Sequence, residues 1–457
     1  MSQSSRTRIG RSSVDRRKVI FGIGAPPTAR EIFDPKTSEG CASQVKQVGY
    51  ILLDGCSDRP VPSLNYSTPL EVANTPNLDK ISRKGRMGRV ITVGRGISPE
   101  SDIAVFNMLG YSFDKGYPGR GVVESIGAGI DLKDGDLALR ANFATRLDGK
   151  IVDRRAGRDM TDQDAKTLQQ ELKKVRLPDA EFDFRSTIGH RAVLVIRASN
   201  PLSAEISNTD PGYVRMKGFG AARKAKDVEA IQTCKPLQGT AASKGAAELV
   251  NAFSSQAMKI LEEAKVNQER KSNGKKAANM LLFRDAGSFI PKLPSFEEKH
   301  HYKGVALVEM PAEVGIALLL KMKMVKVDDP ADLSGKARLF RREMKEGTVV
   351  YAHIKGPDEF GHDGDAPGKR GNIETIDREF FSTISEMPHD GTTLAVSCDH
   401  ATPCTLKMHS ADPVPLLVTG KRTAEDGSSC RFTEKDAKRG SMGTLAGKAV
   451  LRKVLAS

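Results

Sequence analysis

From residue 48 onward, short unbroken apolar runs alternate with stretches in which apolar residues recur at helical spacing, the pattern of an α/β protein. The run "VGYILLD" (48–54) ends on an acid, as a buried parallel strand does when it delivers Asp54 to its C-terminal edge. "TPNLDKISRKG" predicts a short helix closed by Gly85. "SDIAVFNMLGY" (101–111) predicts a second helix with Ser101 at its N-cap. Three further β-branched runs, "TVVYAHI" (348–354), "TTLAVSC" (392–398) and "VPLLVTG" (414–420), end beside polar loops. Strands converging on such loops form the ligand crevice of an open α/β sheet.

The middle of the chain has a different rhythm. Residues 137–157, "LALRANFATRLDGKIVDRRAG", predict a hairpin turning at Asp148-Gly149, and "RAVLVIRA" (191–198) predicts another strand. Residues 246–270, "AAELVNAFSSQAMKILEEAKVNQER", carry apolar positions at helical spacing with a polar remainder. Strands on both sides of this block end in the same kind of polar loop. The block is therefore expected to be an α+β domain, residues 118–288, inserted into a core of residues 47–117 and 289–457.

Composition narrows the class. A chain of 457 residues has room for more than one domain. No stretch approaches the roughly eighteen uninterrupted apolar residues that span a bilayer, so no membrane role is expected. Six cysteines (41, 56, 234, 398, 404 and 430) lie scattered without a signal peptide or the close spacing of a disulfide scaffold. That usage predicts free thiols and a cytoplasmic address. The formal charge of +14 raises the question of a nucleic-acid partner. Most of it sits in two stretches, residues 1–46 at net +5 and residues 215–276 at net +7, and neither interleaves basic residues with stacking aromatics. No nucleic-acid partner is expected. Residues 1–46 lack apolar periodicity and read as a poorly ordered basic extension, with a transit peptide or a translation start just before "VKQVGYILLD" as the other readings.

The candidate chemistry lies at strand ends. "KGPDEFGHDGD" sets Asp358 and His362 four residues apart after one strand, and "CDHATPCTLKMH" sets Asp399 and His400 at the end of another, with His409 nine residues on. With Asp54 these make three Asp and three His at the edge of one sheet, a mixed imidazole and carboxylate set large enough for two divalent ions. Cys398 precedes Asp399 on a strand, so the two side chains point to opposite faces, and no C-x-x-C pair exists to complete a thiolate cage. Two metals side by side suit phosphoryl transfer. Ser101, at a helix N-terminus where free amides favour phosphate, is the candidate nucleophile.

The motifs "ILLDG", "TPLEVANTPNLDKISRKG", "SDIAVFNMLGY", "ESIGAGIDLKDGDLALRANFAT", "IVDRRAGR", "GHRAVLVIR", "ISNTDP", "KLPSFEEKH", "KGPDEFGHDGD" and "DHATPCTLKMHSADPVPLLV" resemble, in order from about residue 48 to the end, the archaeal-type cofactor-independent phosphoglycerate mutases of the alkaline phosphatase superfamily. The resemblance implies an alkaline-phosphatase-like α/β core, its mainly parallel sheet between helices, with an inserted domain and two divalent metal ions (Mn, with Mg, Co or Zn possible). It also implies interconversion of 3-phosphoglycerate and 2-phosphoglycerate through a phosphoserine. One metal would be held by Asp358, His362 and His409, the other by Asp54, Asp399, His400 and the Ser101 oxygen. Arg154, Arg155, Arg158, Arg191 and Arg284, with Asn142 and Asp210, become candidates for gripping the glycerate, since guanidinium groups suit carboxylates and phosphates. His190 becomes the acid/base for the glycerate hydroxyls, and Lys299 the lysine that meets the phosphoryl group. The chain departs from the usual family pattern at Glu100, Ile103 and Pro357. A phosphatase, phosphodiesterase or small-alcohol phosphotransferase of the same superfamily is the alternative, because fold does not fix substrate.

Overall fold

The strands fall into three groups along the chain. β1 (Gln47–Leu53) and β2 (Gly85–Ile91) come first. Then come β3 (Leu137–Leu147), β4 (Lys150–Asp153), β5 (Ala180–Ser186), β6 (Arg191–Ala198), β7 (Tyr213–Met216), β8 (Phe219–Ala222), β9 (Glu229–Ala230) and β10 (Met280–Gly287). The last group is β11 (Lys303–Val308), β12 (Lys323–Lys326), β13 (Thr348–Ile354), β14 (Thr392–Cys398), β15 (Val414–Thr419) and β16 (Thr444–Ala446). This computed structural model describes residues 46–113, 116–216, 219–222, 228–385, 387, 391–420 and 431–457. The basic extension, up to residue 45, and two of the cysteines, Cys41 and Cys430, lie outside the described residues.

The first and last groups join in one sheet of eight strands, ordered β12-β11-β13-β1-β14-β15-β2-β16. β1 pairs in parallel with β13 on one side and β14 on the other, and its residues from Val48 to Leu53 are buried on both faces. That double burial is why the run reads as continuous rather than alternating. Among the described strands of this sheet only β15 runs against the rest. "VPLLVTG" was expected to end at the site. The chain instead turns back after the loop 399–413, so the start of β15 faces the loop ends.

Three local expectations shift, and one departure from the family pattern, Pro357, finds its place. Gly85 does not close the helix Pro76–Ser82, which ends at Arg83; Gly85 opens β2, where a Cβ would lie 2.8 Å from the Val418 carbonyl oxygen. Ser101 is the first residue of the helix Ser101–Met108, and Glu100 is its N-cap. Pro357 opens the helix Pro357–Asp363, a position where its missing N–H costs nothing. The helix expected over 246–270 breaks into Ala241–Glu263 and Lys265–Ser272, because Ala264 is extended at ψ 130°. Buried Asn267 holds the break, donating to Leu261 O at 2.7 Å and Ala278 O at 3.0 Å.

A second sheet is built from the middle group, ordered β5-β6-β3-β4-β9 with β10 on the free side of β3. Asp148 and Gly149 turn β3 into β4 with φ of 48° and 72°, the two left-handed residues that a type I′ hairpin requires. One face of this sheet packs Phe143, Leu194, Leu281 and Phe283 against Leu168, Phe253 and Leu261 of the helices Asp162–Leu172 and Ala241–Glu263. The opposite face carries Arg140, Asn142, Arg191 and Arg284, since Arg284 pairs with Arg140 and Arg191 with Asn142 across β3. Among the described residues no helix is long and apolar enough to cross a membrane.

Candidate active site

Most of the proposed ligands follow strand ends, while His409 lies in the loop 399–413 and Ser101 opens a helix. Asp54 follows β1, Asp399 and His400 follow β14, and Asp358 and His362 share one face of the helix that follows β13. The structure gathers them into two groups, Asp358 with His362 and His409, and Asp54 with Asp399 and His400, and in each the candidate donor atoms lie within 4.8 Å of one another. His362 Nε2 and His409 Nε2 stand 3.5 Å from the two oxygens of Asp358. His400 Nε2 stands 3.4 Å from Asp54 Oδ1 and 3.2 Å from Asp399 Oδ2. Ser101 Oγ lies 3.0 Å from the same His400 nitrogen.

Hydrogen-bond chemistry fixes the tautomers. A carbonyl oxygen can only accept, so His409 Nδ1–H donates to Pro99 O at 2.7 Å and His362 Nδ1–H donates to Lys407 O at 3.1 Å. The Thr402 hydroxyl donates to Asp358 Oδ1 at 2.6 Å and so accepts from His400 Nδ1–H at 3.1 Å. All three rings therefore turn an Nε2 lone pair toward carboxylate oxygens. Lone pairs facing lone pairs repel unless a cation or a proton stands between them. Buried Asp54 Oδ1 and Asp399 Oδ2 lack hydrogen-bond partners, which points the same way. Without a metal, a proton fills the role at His409: burial disfavours its charge, yet the bond and charge of Asp358 with the charge of Glu100 push it up to about 10. The residues present fit two divalent ions, with Nδ1 of each histidine anchored as metal-binding imidazoles usually are.

Several partners were not expected from sequence. His353 sits inside the apolar run of β13, buried, with Nε2 3.4 Å from Asp399 Oδ2 and Nδ1 3.2 Å from Lys355 Nζ. The Lys355 ammonium bridges Asp54 Oδ2 at 3.1 Å and Glu313 Oε1 at 3.2 Å. It is thus the lysine beside this cluster. The Lys299 ammonium lies 4.9 Å from the centre of the Tyr111 ring, whose residue follows the Ser101–Met108 helix. Glu100 bonds to Arg120 Nη1 at 2.8 Å, Arg120 bonds to Glu124 at 2.8 Å, and Glu124 accepts from Arg140 Nε at 3.1 Å. That chain of ion pairs, with Arg120 half-buried and its partners buried, ties the residue before Ser101 to the second sheet. The departure at Glu100 thereby has a structural role, and Ile103 is a buried core residue.

On the second sheet, Asp210 is fully buried and clamped by two guanidinium groups, Arg154 Nε at 2.6 Å and Arg284 Nη1 at 2.9 Å. With its amide nitrogen donating to Ala141 O at 3.1 Å, Asn142 Oδ1 accepts from Arg284 Nη1 at 3.1 Å. Arg155 and Arg158 lie on a strained turn, where Ala156, Gly157 and Arg158 all have positive φ of 45°, 80° and 61°. Buried Arg270 braces that turn by donating to Ala156 O at 3.1 Å and Asp159 Oδ1 at 2.5 Å. Arg158 reaches Asp363, the neighbour of His362, at 3.2 Å. His190 is pushed down to about 3 by burial first and then by the charges of Arg191, Arg155, Arg284 and Arg158. Among the described residues no cysteine enters either donor group; Cys56 and Cys398 lie in the main core, and Cys404 packs with Val61 and Ala366.

Known proteins match this chain by sequence profile, by sequence identity and by fold. The sequence profile described as 2,3-bisphosphoglycerate-independent phosphoglycerate mutase matches residues 82–267. A protein of that name from Aeropyrum pernix is 40% identical over 416 residues, covering 87% of this chain and 96% of its own. The chain belongs to the 2,3-bisphosphoglycerate-independent phosphoglycerate mutase family. Another mutase of the family, from Methanopyrus kandleri, is 35% identical over 413 residues, covering 88% of this chain and 94% of its own. The solved structure of the cofactor-independent phosphoglycerate mutase from Thermoplasma acidophilum superposes with a TM-score of 0.57 at 31% identity, covering 90% of this chain and 99% of that one. The fold expected from the family resemblance, an α/β core with a mainly parallel sheet, is the fold observed.

Proposed function

We propose that the chain interconverts 3-phosphoglycerate and 2-phosphoglycerate without bisphosphoglycerate, by passing the phosphoryl group through Ser101. The observation that carries this reading is the position of Ser101 Oγ, at the start of a helix and 3.0 Å from His400 Nε2, at the edge of two donor groups. Two divalent ions, Mn in first place with Mg, Co or Zn as alternatives, would be held by Asp358, His362 and His409 and by Asp54, Asp399 and His400 with the Ser101 oxygen. Bound there, they would neutralise charge on the phosphoryl oxygens and make the serine hydroxyl more acidic.

The chain's own residues supply the rest. Ser101 Oγ gives up its proton and attacks phosphorus, the P–O3 bond breaks, and O3 of the glycerate takes up the proton that Oγ lost. The glycerate then turns while bound, its O2 loses a proton and attacks the phosphoserine, the P–Oγ bond breaks, and Oγ recovers that proton. His190, kept neutral by burial and by the guanidinium charges that act on it, is the candidate to relay the proton that leaves O2 toward Ser101 Oγ. Arg154, Arg155, Arg158, Arg191 and Arg284, with Asn142 and Asp210, hold the glycerate against escape and help exclude water. A simple phosphatase has no need of such a surface, so the arginine-lined face favours the mutase over the phosphatase reading. In this reading residues 47–117 and 289–457 form the metal-binding core and residues 118–288 the glycerate-binding insertion, working in the cytoplasm on a small-molecule substrate.

The test is isolation of the intermediate. Incubation with 3-phosphoglycerate labelled at phosphorus, followed by acid quench and peptide mapping, is expected to place label on Ser101. Ser101→Ala is expected to lose turnover by at least about a thousandfold while keeping its metal content. Label on another residue, or substantial turnover by Ser101→Ala, would mean the nucleophile is misassigned.

A further inference from the structure

The clamp around Asp210 has a third member that the mechanism above does not use. The Tyr213 ring lies under both guanidinium groups, 4.1 Å from Arg284 Cζ and 5.3 Å from Arg154 Cζ. The turn that presents it is tightly specified. Tyr213 N–H donates to Asp210 O at 3.3 Å, closing the turn, and Gly212 N–H donates to Asp210 Oδ1 at 3.0 Å. The same segment is stitched to the strand that bears Arg284. Thr209 N–H and Asp210 N–H donate to Phe283 O at 2.9 and 3.2 Å, and Phe283 N–H donates back to Thr209 Oγ1 at 2.8 Å. Gly212 is needed for a steric reason, since a Cβ there would lie 2.1 Å from Arg154 Cζ. Asp210 fixes one edge of each guanidinium, and the aromatic face fixes its plane.

We propose that Tyr213 is a positioning residue for substrate recognition, an aromatic plate that holds Arg154 and Arg284 in fixed planes so that their remaining N–H groups meet the anionic groups of the substrate. This inference rests on the mutase reading above. Its physical basis is general: a cation over a ring face is attracted by the ring quadrupole, and a guanidinium already ordered loses less freedom when it binds an oxyanion. Phenylalanine provides the same ring face, whereas leucine does not. The hydroxyl is therefore dispensable and the ring is not.

Steady-state kinetics with 3-phosphoglycerate and calorimetric titration with the same ligand test the proposal on the metal-loaded enzyme. Tyr213→Leu is expected to raise both KM and Kd about tenfold while changing kcat by less than about threefold. Tyr213→Phe is expected to stay within about twofold of wild type in both, which a role for the hydroxyl would not permit. Gly212→Ala, which pushes on Arg154 and leaves Tyr213 in place, is expected to raise KM in the same direction and provides the reading should Tyr213→Leu not fold. A Tyr213→Leu protein with wild-type KM and Kd would overturn the proposal, as would a Tyr213→Phe protein as impaired as the leucine variant. A wild type that binds 3-phosphoglycerate but does not isomerise it overturns the mutase reading alone, since the Kd comparison still decides the role of Tyr213. A wild type that binds no 3-phosphoglycerate overturns both.

Discussion

Three imidazoles define the site at the scale of single residues. Pro99 O, Thr402 Oγ1 and Lys407 O each take an Nδ1 hydrogen, leaving the Nε2 atoms of His409, His400 and His362 to face carboxylates. His190 is the contrasting case, a ring kept neutral by burial and by guanidinium charges. Its unfolded value is near 6.5 and its folded value about 3, so between these limits the folded chain binds fewer protons than the unfolded one, and acidification through that window costs stability. His190→Gln removes that difference. Urea melts at pH 7 and pH 5 are expected to show wild type losing more stability on acidification than the variant; parallel losses would mean that His190 titrates normally. The Asp and His positions were legible in sequence because they cluster at or shortly after the ends of apolar runs. His353 was not, because it lies within such a run and resembles a strand residue, and Lys355, Glu313 and Tyr213 carry no spacing signal at all. Lys299, named by motif, has its ammonium over the Tyr111 ring.

At the scale of elements, the central strands were readable because double burial makes their sequences continuous, whereas the reversal at β15 depends on where a loop returns, which hydrophobicity does not encode. Helix ends were less legible than strand cores. The break at Ala264 depends on Asn267 reaching Leu261 O and Ala278 O, a long-range contact no local pattern shows. Packing between the helices Arg120–Gly127 and Pro311–Leu319 was hidden for a similar reason. A Cβ on Gly127 would lie 1.8 Å from Pro311 O, and one on Gly315 would lie 2.0 Å from Val123 O, so the two backbones touch. Gly127→Ala is expected to destabilise the protein by about 1–3 kcal/mol, as overpacking does, and to lower the calorimetric melting temperature. Gly371→Ala, in a helix with nothing within 4 Å of the added carbon, is expected to be neutral or stabilising by up to about 1 kcal/mol. Equal effects at the two positions would contradict the packing account.

The whole molecule places an arginine-bearing sheet face and two acidic donor groups in one chain and links them by buried charge. Glu100, beside Ser101, reaches Arg120; Arg120 and Arg140 share Glu124; and Arg140 lies on the same sheet face as Asn142, Arg191 and Arg284. Sequence indicated the two blocks through a change of rhythm, but the link between them is made of charged residues that read as ordinary surface polarity until burial is seen. The arrangement makes sense if a phosphoryl group must be held by the core while the glycerate is held and turned by the other sheet. The most direct test is a coupled assay of 2-phosphoglycerate formation from 3-phosphoglycerate in the complete absence of bisphosphoglycerate, before and after chelation and again after adding back a divalent ion. The account predicts turnover that needs no bisphosphoglycerate, disappears on chelation and returns with Mn²⁺ or a similar ion. Turnover that requires bisphosphoglycerate, or free phosphate and glycerate as the only products, would contradict it.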